Sequence, residues 1–508
     1  MDDFGAWFAP YDYFQQPDFL NDLQGIENFQ MDAFPLQIDV PEMASSVEAT
    51  VCDTPTSSDS FPNSAINDPP SNKRRQTSSP CESESLVRYR KTRKLRAPEQ
   101  TAKVREKGAC YLCQLKRKEC QDGVDPEGSC QRCLEHVRSI TIIPGLLRPV
   151  CWRPNIGYTE IFRRGPTIDF APTLRGNCED EGPGKQAVWK HFATRRTGNE
   201  STKSVELSQN WTSNTLKIPL ERYQPKEGDK QHYAWFDNGG EQHYHTPPYG
   251  IANLHVARSS IERFLEEKSA AYIEAHMRNA TEITRETFRV AQENKHQLPL
   301  VERALKLWVC CRFIEEPWSI VGAEKLGMTT DADPNCPYSD RIPVPPIVDL
   351  QIDLIVINEL LKPELKIILK MMKTMLESSK PWKDWLEIYL SYFILLHNVE
   401  LTIAHDLWFV KRNNLKRRYS NKALIDTITQ GATTLLTCFH YAHQGYAPFS
   451  NPELENKQNW TNVEEGYLST IRPLLNGLRG DHVNDPAKEL FWTSQLHKPD
   501  WRPVVLMC

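Results

Sequence analysis

The sequence predicts a mostly α-helical protein that also contains a small cysteine-rich module and a disordered N-terminal region. Three observations lead to this fold class. Six of the fourteen cysteines fall within about forty residues, between Cys110 and Cys151. From about residue 250 onward the apolar residues recur with a helical period. The first 72 residues follow no single period and contain no lysine or arginine.

The length and charge pattern indicate several regions with different roles. A chain of 508 residues is too long for one compact core. Its net charge is only -5, yet carboxylates crowd the start and the first cation is Lys73. Such asymmetry indicates charged partners. The start has no signal-peptide pattern, and the apolar run 389–396 is shorter than the roughly 20 residues a membrane span needs. We therefore expect a soluble intracellular protein without a membrane partner.

Residues 1–85 are predicted to be disordered, because an acidic and aromatic stretch is followed by a Ser- and Pro-rich one. Such a composition cannot bury enough apolar surface to offset the entropy lost on ordering. The mixture is typical of an activation segment, in which carboxylates keep aromatic side chains solvated until they dock on a transcriptional coactivator. A solubilising tail is the alternative interpretation.

Residues 86–109 form a basic arm directly before the cysteines. Its cations include Arg93 and Lys94. Clusters of this kind are typical of nuclear-import or phosphate-binding segments, and both roles need only exposed charge on a flexible chain. The position of the arm favours a role in nucleic-acid binding over a merely solvated charge run.

The cysteines follow the spacing C-x2-C-x6-C-x9-C-x2-C-x17-C. Two CxxC pairs indicate zinc, because each pair can supply two corners of a tetrahedral site. Six thiolates satisfy two tetrahedral ions only when two of them bridge, so the pattern predicts a Zn2Cys6 module over residues 110–151 with two Zn²⁺ per chain. A closed site leaves no open position for a catalytic water, which argues against a hydrolytic enzyme. The predicted ligands are Cys110, Cys113, Cys120, Cys130, Cys133 and Cys151.

In these motifs the chain resembles the fungal Zn(II)2Cys6 binuclear-cluster transcription factors. The similarity covers about forty residues, and the C-x2-C-x6-C half is its specific part. The resemblance implies that Cys110 and Cys130 bridge the two ions and that the first helix enters the DNA major groove. It also implies that Lys116 and Arg117 read CGG-like triplets in double-stranded DNA, in the nucleus, at RNA polymerase II genes.

The cations between the second and third cysteines have a physical role in this scheme. A metal cluster supplies the folding energy that a forty-residue unit lacks, and it fixes these cations at one end of a short helix. They can then donate to guanine O6 and N7 or to phosphates. The expected DNA-binding residues are Lys116, Arg117, Lys118, Arg132, Arg93 and Lys94, of which the last four contact the phosphate backbone.

Several positions depart from the pattern of that family. Gln114 and Glu119 stand where basic residues are usual, which weakens attraction to phosphate. The gap of seventeen residues before Cys151 is unusually long. His136 follows the fifth cysteine by three residues and is the alternative sixth ligand.

Residues 152–245 are rich in Gly, Pro, Asn and Thr, and they are predicted to be an irregular linker without a coiled-coil heptad. The protein is therefore expected to be a monomer, or a dimer formed without a coiled coil. Residues 246–508 are predicted to form an all-α domain, whose first helix is capped by Ser259 or Ser260. A nearly all-apolar helix in the 380s to 400s should be central to it. The resemblance implies that this domain is regulatory.

No complete catalytic constellation is visible in the helical region, so the protein is predicted not to be an enzyme. The histidines that could be metal ligands or acid–base groups are His243, His245, His397, His405, His440 and His443. Cys310, Cys311 and Cys438 lie in apolar helical stretches and are predicted to be core thiols. The sequence thus predicts a sequence-specific DNA-binding transcription activator. The alternatives are a repressor and a zinc-stapled helical interaction protein that does not touch DNA.

Overall fold

The computed structural model describes residues 108–121, 129–139, 151–165, 172–173, 202–237, 240–331, 336, 338–378, 381–412, 417–443, 449, 460–477, 488–498, 501 and 503. The predicted activation segment, the basic arm up to residue 107, and Arg93 and Lys94 lie outside these residues. One continuous apolar core runs from the cysteine module to Trp501.

The described residues are predominantly helical, as predicted. The helices are α1 (Tyr111–Leu115), α2 (Gln131–Ser139), α3 (Leu254–Met277), α4 (Glu282–Asn294), α5 (Pro299–Glu315), α6 (Pro346–Ile355), α7 (Lys362–Leu376), α8 (Trp385–Arg412), α9 (Lys422–His443) and α10 (Asn462–Gly477). A π-helical stretch, Val356–Leu361, joins α6 to α7. The predicted cap of α3 is wrong, because the helix begins at Leu254 and the side chain of Asn253 accepts from the Val256 amide.

The chain also contains sheet structure, so a mostly α description is incomplete. The strands are β1 (Lys203–Ser208), β2 (Leu216–Arg222), β3 (His232–Asp237), β4 (Gly240–His245), β5 (Tyr249–Ile251), β6 (Ser319–Val321) and β7 (Ile342–Pro343). Five of them form an antiparallel sheet in the order β5-β2-β1-β6-β7, and β3 pairs with β4 as a separate two-stranded hairpin. Four of the strands, β1 to β4, lie within residues 152–245, which were expected to be an irregular linker, and the other three lie within residues 246–508, which were expected to be all-α.

These strands were not expected because their apolar residues recur every two residues, which is not a helical period. In β2, Leu216, Ile218 and Leu220 are buried and alternate with polar or partly exposed positions. Pro219 interrupts this signal, because proline cannot donate to a strand ladder and usually argues against a central strand. Its carbonyl nevertheless accepts from the Ala252 amide at 2.9 Å.

Helix α8 lies at the centre of the helical domain, in agreement with the apolar pattern, and packs on α5. Their polar side chains meet in the core, where Trp308 Nε1 donates to His397 Nδ1 at 3.1 Å and Arg312 donates to Asn398 Oδ1 at 2.9 Å. The stretch from Trp385 to Lys411 is long and apolar enough to cross a membrane, with a mean hydropathy of 1.2. Within it, 94% of the most apolar 18-residue window is buried inside the protein, which is the environment of a core helix.

Candidate metal centre and nucleic-acid interface

Helix α1 begins immediately after Cys110 and places Cys113 less than one turn later on the same side. The Tyr111 amide donates to the carbonyl oxygen of Trp152 at 2.7 Å, which ties the first turn of the helix to the segment that follows the sixth cysteine. Tyr111 and Cys113 are both buried. The short helix therefore presents its two thiols inward.

Four of the predicted ligands form a compact cluster. The Sγ atoms of Cys110, Cys113, Cys130 and Cys133 all lie within 4.8 Å of one another. The separations are 3.9 Å between Cys110 and Cys130, 3.6 Å between Cys110 and Cys133, and 3.8 Å between Cys113 and Cys130. Each of these cysteines is buried and free of a disulfide. This arrangement can hold a metal ion.

The remaining two cysteines lie beside the cluster. The Sγ of Cys151 accepts from the Cys130 amide at 3.4 Å, and it also interacts with the thiols of Cys110 and Cys133. Cys120 is 5% exposed and interacts with Cys110 and Cys130. Four of the six predicted ligands are thus grouped within 4.8 Å. Cys151 and Cys120 interact with members of this group from outside it, and 17 residues separate the fifth cysteine from the sixth. The alternative ligand His136 lies on α2, and its side chain is outside the described residues.

The thiols shift one another's proton affinity. Cys110 and Cys133 hydrogen-bond to Cys113 and lower the pKa of its thiol to about 5. Burial raises the pKa of the Cys120 thiol to about 11. Because a metal ion requires the thiolate form, the lowered pKa favours ligation by Cys113, whereas the raised pKa values of Cys120 and Cys133 oppose it.

Helix α1 ends just before three consecutive cations, Lys116, Arg117 and Lys118. The Arg117 amide donates to the Gln114 carbonyl at 3.0 Å and the Lys118 amide to the Cys113 carbonyl at 2.9 Å, which is the pattern of a Schellman C-cap. Arg117 takes the left-handed position of this motif, with φ 50, a conformation usually given to glycine. Lys116, Arg117 and Lys118 are all exposed. The helix end thus presents three cations next to the cysteine cluster.

Two further arginines support this loop and cluster. Arg132 donates from Nε to the Glu119 carbonyl at 3.2 Å, so it steadies the loop that carries the cations. Arg153, which sequence reasoning missed, donates to the Gly108 carbonyl at 3.1 Å. Although burial opposes its charge, the nearby thiols of Cys151 and Cys120 raise the pKa of Arg153. Its position two residues after the sixth cysteine would have been the signal for it.

A strap formed by residues 152–165 connects the cysteine module to the helical domain. Its carbonyl at Ile161 accepts from Asn398 Nδ2 at 2.8 Å, deep in the core. Arg163 forms an ion pair of 2.6 Å with Asp353 of α6. The buried strap residues are Trp152, Ile156, Thr159, Ile161 and Phe162. The strap is therefore an integral part of the core, which its Pro- and Gly-containing sequence did not predict.

A cavity of about 320 Å³ lies beside the strap. Its lining includes Arg163, Arg341, Asp349, Asp353 and His405, together with aromatic side chains of α8. Burial, reinforced by the charge of Asp353, raises the pKa of Asp349 to about 7, while Arg163 opposes this shift. The cavity thus contains a carboxyl group that titrates near neutral pH.

Two of the candidate histidines of the helical domain, His397 and His440, pack in the core. His397 is fully buried and bonded to Trp308, and burial lowers its pKa well below the usual value. His440 bonds to the Gln495 carbonyl at 2.9 Å and stacks on Trp501.

Cys310, Cys311 and Cys438 are buried, as predicted for core thiols. Asp406 accepts from the amides of Ser420 and Asn421 just before α9, and Asn421 caps that helix by accepting from the Leu424 amide at 3.0 Å.

The structure combines a helical domain, a buried cysteine cluster and a set of exposed cations beside that cluster. Comparisons with known proteins identify the class of the chain as a fungal transcription factor. The chain belongs to the KpeA transcription factor family, whose model matches residues 180–468, more than half of the chain. The matched region begins after the cysteines and covers the sheet and most of the helices. Membership points to a regulator rather than an enzyme.

A curated relative agrees with this class. The chain is 25% identical over 372 residues to the "Satratoxin biosynthesis SC3 cluster transcription factor SAT20" of Stachybotrys chartarum (strain CBS 109288 / IBT 7711). The alignment covers 68% of this chain and 50% of the relative, so the chain spans about half the length of the protein it matches. No solved structure matches the chain.

Proposed function

We propose that the protein is a sequence-specific DNA-binding transcription activator of RNA polymerase II genes, which acts in the nucleus through a binuclear zinc cluster. The observation that carries this proposal is the position of Lys116, Arg117 and Lys118. They are exposed at the end of a helix whose other end adjoins a cluster of four buried thiols, with Cys151 beside it.

The proposed cofactor is a pair of Zn²⁺ ions. A tetrahedral zinc site with Zn–S bonds of ~2.3 Å has S–S edges of ~3.8 Å. The measured Sγ separations of 3.6–3.9 Å match these edges. Cys110 has close thiol neighbours in both CxxC pairs, and Cys130 contacts Cys110, Cys113 and Cys120. This central position suits the bridging role that the resemblance implies for both. The cluster would fold and orient the module, while the chain's own side chains would contact DNA.

The proposed base-reading residues are Lys116 and Arg117. The C-cap ends the helix within one turn of the cluster. It therefore fixes the backbone positions from which these two side chains extend. Arg117 retains a left-handed conformation that costs roughly 1–2 kcal/mol for a residue with a Cβ. Such strain at an exposed position supports a functional requirement for its side chain. Lys118, Arg132, Arg93 and Lys94 are proposed to contact phosphates.

Selection on random duplex DNA with the full zinc-loaded chain tests this proposal, and a reproducible motif is expected. Arg117→Gly is the sharpest variant, because glycine removes the side chain and also suits the left-handed position. It should lose about 1–3 kcal/mol on the selected site and relax base preference there. Arg93→Ala should weaken binding to all sequences alike and make the salt slope shallower by about one.

A matched control is Lys422→Ala, since the Lys422 side chain is 79% exposed on α9 and far along the chain from the module. It should leave affinity and preference unchanged. Equal losses by Arg117→Gly on selected and scrambled duplexes would show that the cations only attract DNA nonspecifically.

One observation favours a second candidate function. Tyr111 and the strap pack the cysteine module into the helical core, so the module could serve as a zinc staple of an interaction protein. In that case zinc removal unfolds the chain, but selection on random DNA recovers no motif. The two outcomes separate a DNA-binding regulator from a zinc-stapled interaction protein.

The activating role is proposed for residues 1–72, which lie outside the described residues. Tethered to an unrelated DNA-binding module, this segment should raise transcription by docking its aromatic side chains on a coactivator. The quadruple variant Trp7→Ala, Phe8→Ala, Phe14→Ala and Phe19→Ala should abolish activation while keeping the charge. Equal activation by the variant would reduce the segment to a solubilising tail, and lowered transcription by the wild-type segment would make the protein a repressor.

A further inference from the structure

The β3–β4 hairpin gathers three histidines on one face. Its antiparallel register places His232 opposite His245 and Ala234 opposite His243. Side chains two residues apart on a strand share a face, so His243 and His245 lie on the same side as His232. His243 and His245 form an H-x-H motif, whereas His232 joins them only through strand pairing.

The three imidazole rings lie at separations that suit a shared metal ion. Their centroids are 4.6 Å apart for His232 and His243, 5.7 Å for His232 and His245, and 6.1 Å for His243 and His245. Three imidazoles bound to one ion with metal–nitrogen bonds of about 2.1 Å would have ring centres about 5.2 Å apart. The observed values lie on both sides of this distance.

Ala234 leaves room among the rings, because its methyl group is the smallest side chain that a strand position offers short of glycine. Glu241 lies on the same face, and its carboxylate is 3.8 Å from His243 Nε2. The side chains of Glu241 and His243 are 51% and 36% exposed, so an ion has access from solvent. The face thus combines three imidazoles, a carboxylate and open space.

The opposite face of the hairpin holds it in place. Tyr233 donates its hydroxyl to the Val344 carbonyl at 2.7 Å, and Tyr244 donates to the Thr329 carbonyl at 2.6 Å. Tyr233, Trp235 and Tyr244 also contact the ring of Tyr338. The histidines are therefore mounted on a fixed two-stranded scaffold rather than on a loose loop.

We propose that His232, His243 and His245 bind a divalent transition-metal ion of the zinc class, with Glu241 as the fourth ligand. Among the described residues, only the cysteine cluster has its ligand atoms already within 4.8 Å of one another. The imidazoles must therefore rotate about their side-chain bonds to meet one ion, and such rotation is fast for side chains in contact with solvent. Imidazole suits Zn²⁺ and Cu²⁺, and the general affinity order places Cu²⁺ above Zn²⁺. The site is independent of the proposed thiolate cluster.

Metal titration of the full chain tests this proposal. The thiolate cluster is first loaded with Zn²⁺, and Zn²⁺ alone is then added while bound metal is counted after dialysis and heat is followed by calorimetry. The wild-type chain should bind one ion more than the variant His243→Asn. The affinity of that ion should fall in the variant by more than the roughly 10–100-fold that loss of an outer-sphere partner costs. Cu²⁺ should bind more tightly than Zn²⁺ at the same site.

Two further variants keep the test decisive. His255→Asn changes an exposed histidine near the start of α3 and should leave the extra ion in place. Ala234→Val keeps all three histidines and favours the strand, yet it fills the space among the rings and should weaken binding. An unchanged metal count in both His243→Asn and Ala234→Val would overturn the proposal, as would an equal loss in His255→Asn. Since none of these residues belongs to the cysteine module, selection on random DNA should give the same motif in every variant, so failure here is separate from failure of the proposed function.

Discussion

Tyr111, the residue after the first cysteine, lies against Tyr441 of α9 with ring centroids 6.3 Å apart, and its hydroxyl reaches the Cys438 carbonyl at 3.5 Å. The first helix of the cysteine module is thus docked on the helical domain by a buried aromatic contact. A flexibly tethered DNA-binding module would not need this contact. Folding of the module and of the helical domain should therefore be coupled.

Tyr111→Ala should weaken this coupling. Truncation of a buried aromatic side chain typically costs about 3–5 kcal/mol, and urea unfolding followed by helical circular dichroism would measure the loss. The control Tyr158→Ala removes a tyrosine that is 84% exposed on the strap and should change stability by less than about 0.5 kcal/mol. A Tyr111→Ala chain as stable as the wild type would mean that the module is not energetically coupled to the domain.

Gly431 of α9 is predicted to be intolerant of substitution. A Cβ at this position would lie 2.1 Å from the carbonyl oxygen of Glu160, so the strap would have to move. Gly431→Ala should lower the free energy of unfolding by about 1–3 kcal/mol, despite the better helix propensity of alanine.

Gly466→Ala is the matched control, because Gly466 is exposed in α10 and nothing lies within 4 Å of a Cβ there. It should raise stability by about 0.5–1 kcal/mol. Thermal and urea unfolding of both variants would check the pair. Equal and stabilising effects would contradict the close approach of the strap to α9.

The sixth metal ligand is predicted to be Cys151. Its Sγ already lies beside the cluster, 3.4 Å from the Cys130 amide. Cys151→Ala should lower the number of zinc ions bound per chain or their affinity, whereas His136→Ala should leave both unchanged. Zinc analysis after dialysis against a weak chelator provides the measurement, and a reversed pattern would assign the sixth position to His136.

Stability should fall as pH rises toward neutrality because of Asp349. Its folded pKa of about 7 lies above its ordinary value of 3.8, so the folded state favours the protonated form. This contribution is fully present below about pH 4 and is lost as pH rises through 7, up to about 4 kcal/mol. Asp353, Arg163 and the neighbouring Tyr233 are the groups that face it.

Asp349→Asn should remove this component, since an amide does not titrate, and should flatten the decline of unfolding free energy between pH 4 and 8. Asp426→Asn, on the exposed side of α9, is the control and should leave the curve unchanged. Urea unfolding across a pH series would provide the comparison. Parallel curves for the wild type and Asp349→Asn would refute the assignment.

The sequence by itself determined the cysteine cluster and the helical domain. Metal-ligand spacing is a local property, so the six thiols could be grouped before any fold was known, and the structure places four of them within 4.8 Å of one another with Cys151 beside them. The apolar pattern likewise identified α8 as a core helix, because a helix buried on every side is apolar nearly all round. The core positions of Cys310, Cys311 and Cys438 followed from the same pattern.

Tertiary structure alone decided how these parts join. The strap carries few local signals, and its burial depends on Asp353 and Asn398, each about 190 residues or more away along the chain. The sheet was missed because its strands are short and two of them contain proline, so pairing partners rather than propensity fix them. The three histidines of the hairpin meet only because strand register sets His232 across from His245. Local patterns reveal which residues can bind or be buried, but contacts between distant segments decide where those residues finally lie.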